Sequence, residues 1–284
     1  CNWRRITICF VKNLKLLLTR CDRLILPRRV LLPALTLLVI FLASCAPLRP
    51  ELGPPVSSDF ADALMQKWRD KALSINSIQG LAKLKLEAPL NNISANQVLL
   101  VERPDRLRAE TLSPFGVPLL LLVADGEKMG ALLPAQNIYY QGSSSPENLG
   151  MFVNLPLPLS DLVGVLLYQP QMIESWKKEA FTLKTGGWLL IHSGTLQRQE
   201  FIFNDMQELI EVSYFQDNDL FLKVQYAEFS ESDSSYPKLL TLKIPEKYAT
   251  VTLDFSDVET NGQIRPELFK VAPPAGARVV YLPD

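Results

Sequence analysis

Residues 80–87 read Gly80-Leu81-Ala82-Lys83-Leu84-Lys85-Leu86-Glu87. Ala82, Leu84 and Leu86 alternate with Lys83, Lys85 and Glu87. One side of such an extended chain is apolar and the other charged, the pattern of a strand with one dry and one wet face. The residues before it follow a different period. Phe60, Leu64, Trp68, Ala72 and Ile75 recur at spacings of four and three, with Asp62, Gln66, Arg69 and Asp70 on the other side. They predict an amphipathic helix that ends near Asn76. Ser57-Ser58-Asp59 opens it, because these side chains accept from the free N–H groups of a first turn. At Gly80 the helical period gives way to the strand period.

Downstream, strand-like segments follow near residues 97–103, 106–113, 117–124, 128–133 and 137–141. Turn signals divide them: Arg103-Pro104-Asp105, Ser113-Pro114-Phe115-Gly116 and Asp125-Gly126. The proline-rich run Leu155-Pro156-Leu157-Pro158-Leu159 interrupts the series. A short helix from Asp161 to Tyr168 comes next, capped by Ser160 and stopped by Pro170. Alternation then resumes at Leu220, Leu222, Val224 and Tyr226, and again at Val251, Leu253 and Phe255. Segments near 181–184, 188–193, 196–203, 208–215 and 238–244 complete the set. About 11 short strands at intervals of roughly ten residues argue for an antiparallel sheet with one wet face. The dry face must close on itself or be covered, and two helices are at hand. The expected fold is mainly β (α+β): a single curved antiparallel sheet forming an incomplete β-barrel. The N-terminal helix and the short lid helix cap its opening, in one domain over residues 57–284.

Composition narrows the chemistry. The 284 residues are 48% hydrophobic, with 29 basic, 30 acidic and one histidine. No fixed-period repeat is present, which excludes a collagen-like or solenoid array. Near-neutrality hides an asymmetry. Residues 1–44 hold eight basic residues and one acid, Asp22, so the remainder is clearly acidic. An acidic body has no electrostatic footprint for nucleic acid. A single histidine cannot build a multi-histidine metal site, and the four cysteines all lie at or before Cys45, so no metal is expected.

Those early residues read as an address. Arg28-Arg29 precede the uncharged run Val30 to Leu42, and Leu42-Ala43-Ser44-Cys45 follows. A basic flank, a short apolar run and small residues at its exit make a secretory signal, here residues 26–44. A membrane span needs about 20 apolar residues, and Pro33 interrupts this run early. Leu-Ala-Ser-Cys resembles the lipobox of bacterial lipoproteins, which implies diacylglycerol and N-acyl modification of Cys45. Ala46 after the cysteine, where a retention signal would have aspartate, implies the outer membrane. Residues 45–56, rich in proline, read as a semi-rigid tether. Residues 1–25, upstream of a complete signal, read as a mistranslated extension.

Four motifs in order carry a wider resemblance. Val101-Glu102-Arg103-Pro104-Asp105 is similar to the Val-Lys-Arg-Pro-Asn element of the periplasmic lipoprotein carrier. Asp125-Gly126-Glu127-Lys128 is similar to its Ser-Asp-Gly-Lys turn. Ser113-Pro114-Phe115-Gly116 resembles the Asn-Pro-Leu-Gly loop of the outer-membrane receptor, with Phe115 where that loop has leucine. Leu268 to Gly276 resembles a shared Phe-x-Phe-x-Pro-Pro-x-Gly ending. Together they resemble the LolA/LolB-like family of bacterial lipoprotein carriers and receptors, and the lipobox favours the anchored, receptor-like branch. The resemblance implies a hydrophobic cavity for acyl chains between sheet and helices. It implies a latch role for Arg103, on the lid helix or the first helix, and a membrane-inserting role for Phe115. Leu64, Trp68, Leu162 and Leu166 are the expected acyl-chain or lid contacts.

The implied activity is non-enzymatic: binding acyl chains or acylated lipoproteins and assisting their localisation on the periplasmic face of the outer membrane. Membrane lipid, acylated lipoproteins and a periplasmic lipoprotein carrier are the implied partners, with no cofactor beyond the acyl groups on Cys45. Two alternatives stand beside it. One is a structural or envelope-assembly lipoprotein with the same fold and a filled core. The other is a periplasmic hydrolase using His192 with Ser193 or Ser160, for which no Gly-x-Ser-x-Gly elbow is present.

Overall fold

The structure, a computed structural model, describes residues 50–153, 157–229 and 236–283. The expected extension, signal and acylated Cys45 lie outside the described residues. Among the described residues fifteen strands are present: β1 (Leu52–Pro55), β2 (Ser77–Ala88), β3 (Asn91–Glu102), β4 (Arg106–Leu112), β5 (Pro118–Ala124), β6 (Lys128–Leu133), β7 (Ile138–Ser143), β8 (Lys177–Leu183), β9 (Trp188–Ser193), β10 (Gln197–Phe203), β11 (Leu209–Gln216), β12 (Asp219–Phe229), β13 (Pro237–Ile244), β14 (Ala249–Thr260) and β15 (Arg278–Tyr281). The α-helices among the described residues are α1 (Ser58–Leu73), α2 (Pro146–Val153) and α3 (Leu159–Leu166). One sheet holds all the strands in the order β1-β8-β9-β10-β11-β12-β13-β14-β2-β3-β4-β5-β6-β7-β15. Neighbours are antiparallel, except that β15 runs parallel to β7. β1 and β15 are unjoined edges, so the sheet is an incomplete barrel, the mainly β architecture that the alternation predicts.

Antiparallel order sorts the turns onto two ends. The mouth end carries the turns after β2, β4, β9, β11 and β13. The base end carries those after β3, β5, β8 and β10, together with the start of β1. One register row crosses the sheet through Val212, Val224, Leu242, Val251, Leu86 and Ile93. Exposure climbs along it, from 0% at Val212 and Val224 to 2% at Leu242, 9% at Val251 and 44% at Ile93. The same apolar stripe is therefore packed at one end and open at the other.

The packed part lies under α1. Ser57 caps this helix, its Oγ accepting from Phe60 N–H at 3.4 Å. Leu64, Met65, Trp68 and Ala72 face inward. Trp68 meets Tyr168 edge-on at 6.3 Å, and Tyr168 meets Tyr226 at 4.9 Å and 90°. α1 ends at Leu73, three residues before the expected end. Asn261 fixes the exit, accepting from Asn76 N–H (2.7 Å) and donating to the Ser74 carbonyl (2.8 Å).

The end of α3 is buried, and a helix end leaves carbonyls without intrahelical donors. Backbone turns supply part of the answer: Tyr168 N–H reaches Val165 O and Gln169 N–H reaches Gly164 O. This is a Schellman closure with tyrosine, φ 63°, at the left-handed position where glycine is usual. Gly164 leaves room for it, since a Cβ there would meet the Gln169 carbonyl oxygen at 2.6 Å. Tyrosine hydroxyls supply the rest. Tyr226 Oη donates to Val165 O (3.1 Å) and Tyr236 Oη to Leu166 O (2.6 Å). Burial pushes both hydroxyls above the ordinary tyrosine range, so they remain protonated donors.

Several expectations need correction. Leu52–Pro55, inside the expected tether 45–56, is a strand paired with β8 through Leu52↔Leu183 and Pro55↔Phe181. Proline lacks an N–H, but an edge strand has one unpaired side and tolerates it. The described residues hold fifteen strands where about 11 are expected; every segment marked in the sequence is a strand, and β1 and β15 are the two with no mark there. Ser160 does not cap α3. That helix starts at Leu159 after Pro158, whose fixed φ presets the entry, and Ser160 Oγ bonds Asp161 at 3.4 Å. Helix α2 was not expected.

Tyr168 Oη donates to Leu209 O (3.0 Å) and accepts from Leu209 N–H (2.8 Å), both buried. Tyr168→Phe should therefore cost about 1–3 kcal/mol, read as a lower denaturant midpoint. A midpoint equal to that of the wild type would contradict this role.

Candidate functional site

Where the stripe opens, a cavity of about 280 Å³ lies between the sheet and the two short helices. Its floor includes Leu84, Leu86, Leu99, Leu107 and Leu122, with Leu242, Val251 and Leu253 from β13 and β14. Phe152 and Val153 of α2 and Leu162 and Leu166 of α3 close it from above. Only two of its lining residues, Gln97 and Thr111, carry polar side chains, and Thr111 Oγ1 donates to Gln97 Oε1 at 2.8 Å. The wall thus presents almost no hydrogen-bonding demand to a guest.

The surrounding rim is apolar as well. Ile93 and Leu119 line the cavity and are partly exposed. Leu90, Val117 and Tyr248 are exposed on turns at the same end. Phe115 is 94% exposed at the tip of the β4–β5 hairpin. Gly116 beside it adopts φ 79°, a conformation that glycine takes without steric cost. Ser113 holds the tip, its Oγ accepting from Val117 N–H at 3.0 Å.

Of the expected contacts, Leu162 and Leu166 line this cavity. Leu64 and Trp68 are not among its lining residues; they are buried in the core under α1. Arg103 is exposed on the β3–β4 turn, where its backbone N–H donates to Asn76 O at 3.0 Å. Its guanidinium has no hydrogen bond to either helix among the described residues. Gln169 makes that tie instead, its Nε2 donating to Ala72 O and Ile75 O, both at 2.6 Å, and so joins the end of α3 to the end of α1. A half-buried amide, not the exposed turn arginine, reaches these carbonyls. Sequence reading missed Gln169, Phe152 and Val153. Ser145-Pro146-Glu147 would have flagged α2: a capping serine, proline at the first helical position and an acid in the first turn.

His192 sits on β9 and is 3% exposed. It packs edge-on against Phe201 at 5.1 Å, and its Nδ1 has no hydrogen-bond partner. Ser193, its strand neighbour, points to the other face of the sheet. Burial, with the nearby Lys178 and Arg69 cations, lowers the His192 pKa to about 4. Among the described residues no group of three or more His, Cys, Asp or Glu could hold a metal, and no helix is long and apolar enough to cross a membrane.

No family model matches the sequence, nor does any curated protein. Several solved structures are similar in fold. A domain from Vibrio parahaemolyticus named for outer-membrane lipoprotein sorting is 13% identical with a TM-score of 0.48, over 73% of this chain and 94% of its own. A DUF1329 family protein from Desulfovibrio piger is 12% identical with a TM-score of 0.49, over 75% and 96%. A LolA superfamily protein from Nitrosomonas europaea is 14% identical with a TM-score of 0.46, over 72% and 97%. At such identities and TM-scores the likeness carries no argument about this chain, and the fold rests on the sheet order alone.

The His192 environment has a pH signature. Its pKa near 4 when folded, against 6.5 when free, means that the unfolded chain takes the proton first as pH falls. Stability is complete above about pH 6.5 and is lost toward pH 4, by up to about 3 kcal/mol from this group. His192→Gln should flatten this part of a stability-against-pH curve; an unchanged slope would show that other groups produce it.

Proposed function

We propose that this chain is a lipid-anchored lipoprotein on the periplasmic face of the outer membrane. It binds acyl chains, free or on acylated lipoproteins, and assists their localisation without making or breaking a bond. The observation that carries the reading is the apolar cavity under α2 and α3. Its volume, about 280 Å³, lies near the low end of the roughly 300–1,000 Å³ usual for ligand sites. Each methylene moved from water onto such a wall is worth about 0.8 kcal/mol, so a modest length of chain suffices for binding. No catalytic group is needed, because transfer between carrier and membrane requires only a difference in affinity.

Acylation at Cys45 supplies the anchor in this reading, and a periplasmic carrier supplies the cargo. The exposed Phe115, beside the cavity opening, provides an apolar contact for lipid or for a carrier's guest. The filled-core alternative fits the half of the interior under α1 but leaves the vacant, apolar-rimmed half without a role.

Three measurements test this. The purified protein should take up a fluorescent fatty acid, and Ala109→Trp, which fills the cavity, should abolish uptake without loss of stability. Uptake equal to the wild type would place the guest elsewhere or remove it. Phe115→Glu should slow delivery of an acylated lipoprotein to vesicles by tenfold or more while leaving the melting temperature unchanged; undiminished delivery would take the loop out of the mechanism. Cys45→Ala should release the protein from membranes, and continued tight association would contradict acylation.

A further inference from the structure

The polar pair in the cavity wall is only half satisfied. Gln97 of β3 and Thr111 of β4 lie directly opposite each other, and Thr111 Oγ1 donates to Gln97 Oε1 at 2.8 Å. That bond uses the hydroxyl proton and the carbonyl half of the carboxamide. It leaves Gln97 Nε2, with two N–H donors, without a partner among the described residues. Gln97 is only 4% exposed, yet this nitrogen keeps accessible surface where the side chain lines the cavity, unlike the sealed Nδ1 of His192. Turning the amide over would free one amide N–H and the Thr111 hydroxyl proton instead. An unmet donor therefore faces the cavity in either orientation. Such a group is costly to bury unpaired, and a guest of pure hydrocarbon would be better served by an apolar residue here.

Register places the donor at a particular depth. The inward-facing residues of β3 run Ile93, Ala95, Gln97, Leu99 from the mouth, and exposure falls from 44% at Ile93 to 4% at Leu99. On β4, Thr111 is the inward residue nearest the mouth, with Ala109 and Leu107 below it. Leu99, Ala109 and Leu122 form the next row inward, wholly apolar and about 7 Å deeper. A chain inserted tail first lays its methylenes against that row and against Leu107 beyond it. The first polar atom that follows the methylenes is the acyl carbonyl oxygen, an acceptor, and it comes level with Gln97.

We propose that Gln97 is a specificity-determining residue of the cavity: its Nε2 donates to the acyl carbonyl oxygen of the guest, so the cavity selects acyl chains over plain alkyl chains. This inference rests on the acyl-binding reading and names the group on the guest that is recognised. Two sources share the chemistry, the ester of an acylglycerol and the carboxylate of a free fatty acid.

Three probes of one chain length test it: monolaurin, laurate and dodecylammonium, each below its micelle concentration. The first two carry an acyl carbonyl, and the third offers donors only. Each is titrated against the bound fluorescent fatty acid. The side-chain amide ¹H–¹⁵N resonances of Gln97, assigned by their loss in Gln97→Met, should shift with an acyl probe and stay in place with dodecylammonium. Gln97→Met/Thr111→Val removes both partners together, so the melting temperature should not fall. This variant should bind the acyl probes roughly tenfold more weakly and dodecylammonium as well as before. A shift with monolaurin assigns the ester as a ligand, and a shift with laurate alone assigns the free acid; either keeps the donor role. Displacement by the probes with no amide shift, or an equal loss of affinity for all three in the variant, would overturn the role of Gln97 while leaving acyl binding intact. Failure of the wild type to take up the fluorescent chain at all would overturn the acyl-binding reading itself, and this inference with it.

Discussion

A buried helix end must find donors for its last carbonyls, and this requirement at the end of α3 organises the molecule. Tyr226 and Tyr236 reach out from β12 and from the residue before β13 to supply them. Tyr168, forced into a left-handed turn, is held by paired hydrogen bonds to Leu209. Gln169 then ties the same end to α1. Four polar side chains thus fix a helix that is otherwise apolar nearly all round. Because the tyrosines stay protonated, the arrangement does not loosen across ordinary pH.

That fixed end divides the interior. On one side, aromatic rings of α1, of the turn after α3 and of the sheet pack against one another. On the other, the same inward-facing rows of leucine and valine continue beneath a roof made of short helices. The rise in exposure from Val212 to Ile93 records the transition within a single register row. A protein that needed only stability would gain by filling the second half, since each buried methylene contributes about 0.8 kcal/mol. Leaving it vacant, with its only polar side chains bonded to each other, is consistent with a site kept for an apolar ligand.

Much of the fold could be read from the sequence because a half-wet sheet writes itself as a period of two. Leu84, Leu253 and Val224 reveal their faces in this way, whereas Leu162 and Leu166 are expected at the cavity only through the resemblance. What could not be read depends on partners distant in sequence. β1 is a strand only because β8 lies beside it, and its prolines argue against pairing when viewed alone. The resemblance implies a latch on one helix or the other from Arg103, a charged residue in a recognisable motif. An ordinary glutamine whose partners are backbone carbonyls nearly a hundred residues away makes it instead. Tyrosine at the left-handed cap position is likewise invisible to rules that look for glycine there.

The pinned end of α3 has a kinetic corollary. The ties at the end of α3 hold that side of the roof in place, so in the proposed reading a hydrocarbon tail enters lengthwise from the open rim. Residence time would then grow with the length of tail inside, by about fourfold for each added methylene. Such a sheath would sort its guests by how much chain they insert, with little regard for the headgroup left outside.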